Sequence, residues 1–351
     1  MVKKADRGGD GRLADSKAAD GGVTLEQVAR EAGVSPSTVS RILNGTARVR
    51  DSKVRAVQAA IAKLRFMPNA AARALAGGRS MSIGVVIQAI DSPFYGEALA
   101  AIENALLRAN YSVLFVSGHW RADDERRCID HLVSRRVDGI ILVTSCLPDA
   151  EIQRLSRTVP LVLTGRKVAG EGIHCLDSDS APGAKLATEY LIGQGHTRIA
   201  FISGPTDHPD AAQRLEGYRA ALSAHRIARV PQLIVNGDYS DAGGYAAMNR
   251  ILESRSAFTA VFAANDQMAY GAMLALHRRG MAVPRDVSIV GFDDLPTSSF
   301  TIPPLTTVHR GIAEVGESAA QAIIDLIERR PPRVREPAAT LAIRESTRPL
   351  R

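Results

Sequence analysis

The sequence predicts an all-α helix-turn-helix head followed by a larger α/β body of two lobes, each built on a doubly wound parallel sheet. Three observations support this fold class. Residues 23–67 carry apolar side chains at helical spacing around a glycine turn. From residue 80 onward, short apolar strands alternate with amphipathic helices. The whole net charge of +7 lies in residues 23–79, which hold ten Lys/Arg against three Asp/Glu.

Residues 1–22 are predicted to be a disordered tail. They are rich in Gly, Asp and Lys and contain almost no large apolar side chain, so packing cannot offset the entropy cost of ordering them. The N-terminus lacks the apolar core of a secretory signal, and no apolar run reaches membrane-spanning length. We therefore expect a cytoplasmic protein without a membrane partner.

The first two helices of the head have clear start and stop signals. Thr24 and Gln27 have the spacing of a capping box, and Gly33 ends the first helix. Ser35 followed by Pro36 is an N-cap with proline at the first helical position, which starts the second helix after a short turn.

A third helix is predicted from Asp51, where apolar residues again recur at helical spacing. After it, residues 68–79 contain NAAARALAGG, an alanine-rich stretch too short to be a stable helix alone. We interpret this stretch as a hinge helix that orders only when docked.

The body is predicted from eight apolar strands with helices between them. Such strands indicate parallel sheets that are covered on both faces. A (β/α)8 barrel is the structural alternative. The strands are SIGVVIQ, YSVLFVSG, GIILVTS, PLVLTG, RIAFISG, LIVNGD, AVFAAN and VSIVGFDD.

The second helix of a helix-turn-helix enters the major groove of DNA, where its N-terminal side chains meet base edges. These side chains are Ser35, Pro36, Ser37, Thr38 and Arg41. Arg41 has the geometry to donate to O6 and N7 of a guanine. The clustered positive charge favours this reading, because Lys and Arg near phosphates release counterions. The alternative is an ordinary helix pair with a solvated basic face.

Polar residues follow four of the predicted strands: Arg166, Tyr239, Asn265 and Asp293. Because the carboxyl ends of parallel strands share one edge, we expect these residues at a cleft between the lobes. Planar bidentate groups and an aromatic face suit a hydroxyl-rich ligand. Asp266 follows the same strand as Asn265 but is equally interpreted as a helix N-cap.

No enzyme is predicted. The sequence lacks G-x-S-x-G, H-E-x-x-H and G-x-x-x-x-G-K-[ST], and His196 and His208 have no paired nucleophile or carboxylate. The three cysteines have no C-x2-C spacing, so neither a disulfide nor a metal site is expected, and no cofactor is predicted. The second class considered is a solute-binding protein of a transporter, which would need a signal peptide and no basic head.

The motifs resemble those of the lac/galactose repressor family over residues 23–348, with the greatest similarity to galactose repressors. They are TLEQVAREAGVSPSTVSRILNG, NAAARALA, SIGVVI, SPFY, RRVDGIIL, GHTRIAFISG, RLEGY, ANDQMAYGA, VPRDVSIVGFDD, PPLTTV and RESTRP. The resemblance implies a body like a periplasmic binding protein. It also implies a repressor of carbohydrate-utilisation genes, released from operator DNA by a sugar-derived effector.

The resemblance implies two sets of site residues. The DNA-binding set is Thr24, Leu25, Ser35, Pro36, Ser37, Thr38, Ser40, Arg41, Asn44, Arg48, Asn69, Ala72, Leu75 and Ala76. The effector-binding set is Phe94, Tyr95, Arg166, Arg214, Tyr239, Asn265, Asp293 and Arg310. In the family a hinge leucine wedges into the minor groove, and Leu75 matches it. The alternatives are a packing leucine at residue 75 and a core phenylalanine at residue 94.

Two positions depart from the family. Gly165 stands where the family usually has Asp or Asn, and Arg310 stands where the lac repressor has a glutamine. Losing an acceptor and gaining a cation would favour an anionic effector, such as a sugar acid or sugar phosphate, over a neutral sugar.

The resemblance also implies a homodimer on a pseudo-palindromic operator. No leucine heptads follow the body, so a tetramer is not expected. Whether the effector releases or promotes DNA binding is open, with release the commoner outcome in the family. The expected domains are the tail 1–22, the helix-turn-helix domain 23–67, the hinge helix 68–79 and the body 80–351. The expected first lobe comprises about 80–177 and 310–338, and the second about 178–309 and 339–351.

Overall fold

The computed structural model describes residues 23–43, 49–66, 79–176, 179–206, 208–333 and 337–350. The chain divides into two compact units, residues 1–78 and 79–351. The predicted tail and most of the predicted hinge helix lie outside the described residues. So do six predicted DNA-binding residues: Asn44, Arg48, Asn69, Ala72, Leu75 and Ala76.

In residues 23–43 and 49–66 of the first unit, three helices surround a small core. They are α1 (Leu25–Glu31), α2 (Pro36–Leu43) and α3 (Asp51–Leu64). Each helix gives one apolar face to the core, as the helical spacing predicts. The buried core residues are Val28, Ala29, Val39, Val57, Ala60 and Phe66.

The capping box predicted at the start of α1 is confirmed. The Thr24 hydroxyl accepts from the Gln27 backbone N–H at 3.3 Å, and the Gln27 side chain accepts from the Thr24 N–H at 2.8 Å. Gly33 has φ of +62°, a left-handed conformation that lets the chain turn sharply between α1 and α2. A salt bridge of 2.6 Å between Lys63 and Glu31 joins α3 to α1.

The second unit contains two open sheets. The first sheet is parallel throughout, in the order β2-β1-β3-β4-β5. Its strands are β1 (Ser82–Ile87), β2 (Ser112–Ser117), β3 (Gly139–Val143), β4 (Leu161–Thr164) and β5 (Ile173–Leu176). We call this sheet and its covering helices the first lobe.

The second sheet has the order β11-β10-β9-β8-β6-β7, and only the pairing of β10 with β11 is antiparallel. Its strands are β6 (Ile199–Ser203), β7 (Ile234–Asn236), β8 (Ala260–Ala263), β9 (Ser288–Asp293), β10 (Thr306–His309) and β11 (Thr340–Ala342). This sheet and its helices form the second lobe.

Helices cover both faces of each sheet, as the near-continuous apolar strands predict. In chain order they are α4 (Pro93–Arg108), α5 (Ala122–Ser134), α6 (Asp149–Leu155), α7 (Ala181–Gly193), α8 (Pro209–Ala224), α9 (Asp241–Glu253), α10 (Asp266–Arg278) and α11 (Ile312–Ile327). Short 3-10 helices occur at Pro231–Leu233 and Pro296–Ser299. Among the described residues, none of these helices is long and apolar enough to cross a membrane.

The chain returns to the first lobe after β10 and then to the second. α11 packs on β3 and α4 of the first lobe, where a Cβ at Gly316 would lie 2.7 Å from the Ala98 carbonyl oxygen. β11 then pairs with β10 in the second lobe, with Thr307 opposite Ala342. Neither lobe is therefore a continuous stretch of chain.

All eight predicted strands are confirmed, and three further strands were not predicted. β5 and β11 are edge strands of four and three residues that are mostly half-exposed, and β10 begins with two threonines. None of the three has the continuous apolar pattern used to predict strands. Because the body holds two open sheets, the (β/α)8 barrel alternative is wrong.

Candidate functional site

The start of α2 presents a cluster of hydroxyl groups. Ser35 Oγ accepts from the Thr38 N–H at 3.3 Å, which caps the helix. It also lies 2.9 Å from the hydroxyls of Ser37 and of Thr38. Ser35, Pro36, Ser37 and Arg41 are exposed, whereas Thr38 is half-buried. The described part of the predicted base-reading surface is therefore accessible, and only Ser35 is committed to a cap.

The remaining predicted residues of the head have other surroundings. Thr24 is exposed but its side chain is used in the capping box of α1. Leu25 and Ser40 are half-buried, and Leu25 packs against the core of the head.

Four charged side chains meet where strands of the second lobe end. Asp210 and Arg214 lie one turn apart near the start of α8, Asp293 ends β9, and Arg310 follows β10. We call these four residues the charge cluster. Their side chains are between 3% and 13% exposed, so the cluster is nearly sealed from water.

Each arginine of the charge cluster pairs with both carboxylates. Arg214 lies 3.1 Å from Asp210 and 3.4 Å from Asp293. Arg310 lies 3.4 Å from Asp210 and 3.8 Å from Asp293. With all four groups ionised, the cluster carries no net charge.

The two carboxylates respond differently to this environment. Burial raises the pKa of Asp293 to about 6, although Arg214 and Arg310 oppose the shift. Burial acts in the same direction on Asp210, but the charges of Arg310 and Arg214 outweigh it and lower the pKa of that carboxyl. The charges of both arginines therefore favour the ionised form of each carboxylate.

Aromatic rings frame the guanidinium of Arg214. Its Cζ lies 4.1 Å from the ring centroid of Phe292 and 5.6 Å from that of Tyr239. The Tyr239 ring packs over Gly204, where a Cβ would lie 2.2 Å from the ring. Two buried donors, Arg214 Nε and the Tyr239 hydroxyl, find no hydrogen-bond partner in the described part of the chain. Buried donors of this kind are uncommon unless a ligand or water satisfies them.

Asn265 caps α10 and touches the backbone of Tyr239. Its Oδ1 accepts from the Met268 N–H at 2.9 Å, and its Nδ2 donates to the Tyr239 carbonyl oxygen at 2.9 Å. The interpretation of Asp266 as the N-cap is wrong. Asp266 is the first residue of the helix, and its buried carboxylate accepts from the Leu295 N–H at 2.8 Å.

The first lobe contributes Phe94 and Tyr95 from the start of α4. Phe94 lines the same cavity as Arg310 and Asp210, a small space of about 50 Å³ that is partly open to solvent. Phe94 also packs against the core of the first lobe, so the cavity and core interpretations both describe it. Tyr95 is buried and hydrogen-bonded to Thr144, and burial raises the pKa of its hydroxyl.

The structure does not bring Arg166 to the charge cluster. Its guanidinium donates to the carbonyl oxygens of Ser145 at 3.2 Å and Leu147 at 2.8 Å, and it pairs with Asp149. In this arrangement Arg166 stabilises the turn between β3 and α6.

Asp210 is absent from the predicted site residues, because it does not directly follow any of the predicted strands. Its signal was available, since a carboxylate four residues before Arg214 faces the same side of a helix. Sequence reasoning also missed Thr144 and Gly165 as cavity-lining residues of the first lobe, although Gly165 was noted as a departure.

A helix-turn-helix head and a two-lobed body with charged side chains beside a cavity are typical of ligand-responsive DNA-binding regulators. Residues 24–69 match the family described as bacterial regulatory proteins, lacI family. Residues 188–347 match the periplasmic binding protein-like domain. The chain belongs to the lacI family of bacterial regulatory proteins.

Individual relatives match almost the whole chain. The ribose operon repressor of Escherichia coli (strain K12) is 37% identical over 306 residues, which cover 87% of this chain and 93% of the relative. The transcriptional regulator GalR of the same strain is 36% identical over 309 residues, covering 88% and 90%. The two relatives are almost equally similar to the chain, so overall sequence identity does not favour GalR over the ribose operon repressor.

Among solved structures, the lac repressor dimer bound to operator and the anti-inducer ONPF is similar to this chain. The TM-score is 0.83 at 30% sequence identity, with coverage of 93% of this chain and 99% of that chain. The predicted family and fold class are confirmed. The matches are to regulatory proteins, so the expectation that the chain is no enzyme is also confirmed.

Proposed function

We propose that the chain is a cytoplasmic transcriptional repressor that binds operator DNA as a homodimer and is released from it by a neutral sugar. The observation that carries the effector class is the charge cluster, which is buried and electrically balanced. The relatives support the same class, because they include a ribose operon repressor.

The balance of the charge cluster favours a neutral ligand over an anion. Arg310, taken alone, suggests an attraction for anions. It is paired with Asp210 and Asp293, and Arg214 shares the same two partners. A carboxylate or phosphate placed here would lie close to two fixed carboxylates and would compete with them for the same guanidinium groups. A sugar hydroxyl can donate to a carboxylate and accept from a guanidinium without adding charge.

Further features of the cleft suit a sugar ring. The side chain of Phe94, which lines the cavity beside Arg310 and Asp210, offers apolar surface for the C–H side of the ring. The buried donors on Arg214 and Tyr239 offer hydrogen bonds that the described protein leaves unused. A ligand bound there would contact both lobes, because Phe94 and Thr144 belong to the first lobe.

Large apolar side chains support the homodimer. Phe300 and Ile302, in the segment before β10, are 83% and 96% exposed, and Ile343, just after the paired strand β11, is 62% exposed. Apolar side chains exposed together on a soluble protein commonly mark an interaction surface. We place the second copy of the chain on this surface of the second lobe.

For the head, we propose that Ser37 and Arg41 contact base edges in the major groove. Leu75 would enter the minor groove from the hinge helix. For the body, effector binding between the lobes would change the angle between them, and this would alter the spacing of the two hinge helices in the dimer. The proposed domains are those expected from the sequence.

The effector class is tested by calorimetry and thermal shift on the full chain. D-Galactose, D-ribose and D-glucose are compared with D-galactonate, D-ribose 5-phosphate and D-galactose 1-phosphate. We expect binding and stabilisation by one or more neutral sugars. Binding by the acids or phosphates alone would show that the neutral assignment is wrong.

The Arg310→Gln variant sharpens this test. The variant leaves two carboxylates with one arginine, so it should weaken the binding of any anion. A neutral sugar would still have Asp210, Arg214 and Asp293 as partners. If the wild-type protein binds an anion and this variant does not, the result would support an anionic effector.

The repressor function is tested by selecting operators from randomised duplex DNA with the full chain. We expect an inverted repeat with two half-sites, and we expect the effective neutral sugar to lower affinity for it. Enrichment of a site without two-fold symmetry would contradict the dimeric mode. A sugar that raises affinity would identify a co-repressor instead of an inducer.

A further inference from the structure

An aromatic contact joins the two lobes beside the charge cluster. Trp120 follows β2 in the first lobe, and His208 precedes α8 in the second. The two ring centroids are 4.9 Å apart. On its other side the His208 ring meets the Tyr239 ring edge-on, with centroids 5.0 Å apart. The rings of Trp120, His208 and Tyr239 therefore form a series of contacts from the first lobe to the guanidinium of Arg214.

Trp120 is held in the first lobe by a buried polar network. Its backbone N–H donates to Gln88 Oε1 at 3.0 Å, and Gln88 Nε2 donates to Glu125 at 3.2 Å. The Glu125 carboxylate is fully buried, and it also accepts from Ser145 Oγ at 2.5 Å and the Cys146 N–H at 2.9 Å. A buried polar network whose groups are hydrogen-bonded to one another holds its members firmly. The backbone of Trp120 is consequently held in place, although the residue is 45% exposed.

His208 connects this ring to the charge cluster. It is the N-cap of α8, and its Nδ1 accepts from the Asp210 N–H at 3.2 Å. Asp210 and Arg214 lie on the first turns of the same helix and supply half of the charge cluster. A shift of His208 would therefore move the start of α8 and the carboxylate of Asp210.

We propose that Trp120 is a positioning residue for effector binding. By packing its ring against His208 it fixes the start of α8 when the lobes are closed, and it thereby holds Asp210 at its distance from Arg310. The inference rests on the proposed effector site in this cleft, but the ring contact and its effect on α8 can be measured without any effector.

The contact between the Trp120 and His208 rings is tested first, by fluorescence of the unliganded full chain. Trp120 is the only tryptophan of the sequence, so its emission reports this contact alone. His208→Asn keeps a side chain able to cap α8 and removes the ring. We expect a red-shifted emission and a larger acrylamide quenching constant. His225→Ala, at the exposed C-cap of the same helix, is the control and should change neither. Unchanged quenching in His208→Asn would overturn the proposed contact.

The effect on α8 is tested next, by hydrogen exchange of the unliganded protein. Trp120→Ala should speed exchange of the amides at the start of α8, including that of Asp210, by about twofold to tenfold, the range of an aromatic pair. Trp120→Phe keeps an aromatic ring and should restore protection. Leu107→Ala, an exposed change in the same lobe, is the control. Equal exchange in Trp120→Ala and wild type would overturn the positioning role.

The consequence for binding is measured with D-galactose and D-ribose. If either binds wild type, Trp120→Ala should release it about twofold to tenfold faster, with Trp120→Phe close to wild type. Unchanged release would refute the role of Trp120 while leaving the effector assignment intact. If neither sugar binds wild type, the effector assignment loses its support for these sugars, and the exchange measurement alone decides the inference.

Discussion

Asp266 offers the sharpest test of the electrostatics of the second lobe. It is the first residue of α10 and is completely buried. Its carboxylate accepts from the Leu295 N–H at 2.8 Å, the Ser298 hydroxyl at 2.7 Å and the Thr307 hydroxyl at 2.5 Å. These contacts tie α10 to the segment before β10. Asp266→Asn removes the charge while keeping a side chain of the same shape.

The magnitude follows from the pKa of this carboxyl. Burial, with a further contribution from the charge of Asp293, raises the pKa of Asp266 from 3.8 to about 7. A raised pKa means that the folded state holds the proton more tightly than the unfolded state. The stability from this group is therefore complete below about pH 4 and is lost as the pH rises through about 7. At 1.36 kcal/mol per pKa unit, the loss between pH 5 and pH 8 is about 3 kcal/mol.

The assay is denaturant unfolding of wild type and Asp266→Asn at pH 5 and pH 8. The asparagine does not titrate. The difference in unfolding free energy between the two proteins should therefore shift in favour of the variant by about 3 kcal/mol when the pH is raised from 5 to 8. Asp286→Asn is the control. The pKa of exposed Asp286 is lowered to about 2, mainly by its hydrogen bond with Arg285, so it is ionised throughout this range.

The reasoning fails if the difference between Asp266→Asn and wild type is the same at both pH values. It also fails if Asp286→Asn shows the same pH dependence, because the effect would then not depend on burial. Using the difference between variant and wild type removes the contribution of titrating groups that do not interact with Asp266.

Three further predictions concern the hinge, the head and the cleft. Leu75→Ala should weaken operator binding about tenfold in a gel-shift titration and leave effector affinity unchanged, and equal operator affinity would contradict the minor-groove wedge. Thr24→Ala should lower the unfolding free energy of the head by about 1 kcal/mol, measured by circular dichroism, because the capping box is lost, whereas Thr24→Ser should not. Gly204→Ala should displace the Tyr239 ring and weaken effector binding about tenfold by calorimetry. Gly193→Ala, which adds a Cβ in open space, is its control, and an equal effect of both changes would rule out the ring displacement.

The sequence was most informative where a buried strand is followed by a polar residue. Asp293 and Asn265 were located by that rule, because parallel strands bring their carboxyl ends to one edge. The same rule placed Arg166 at the correct edge but could not give the direction of its side chain. A guanidinium on a flexible stem follows the nearest acceptors, and here these are Asp149 and two backbone carbonyls.

Charge balance could not be derived from the sequence. Arg310 taken alone suggests an added cation, because no acidic partner lies next to it in the sequence. Asp210 is 100 residues distant, and it approaches Arg310 because the start of α8 and the end of β10 lie at the same edge of the second lobe. The contact between Trp120 and His208 was hidden for the same reason, since a pairing between lobes has no local sequence pattern.

The return of the chain to the first lobe has a consequence for synthesis on the ribosome. α11 covers β3 of the first sheet, yet it comes at Ile312–Ile327, after almost all strands of the second lobe. The nascent first lobe therefore leaves the ribosome with an apolar face uncovered while more than a hundred further residues are translated. Protection of this face in the growing chain must come from transient contacts, and truncation before residue 312 should yield a protein that aggregates.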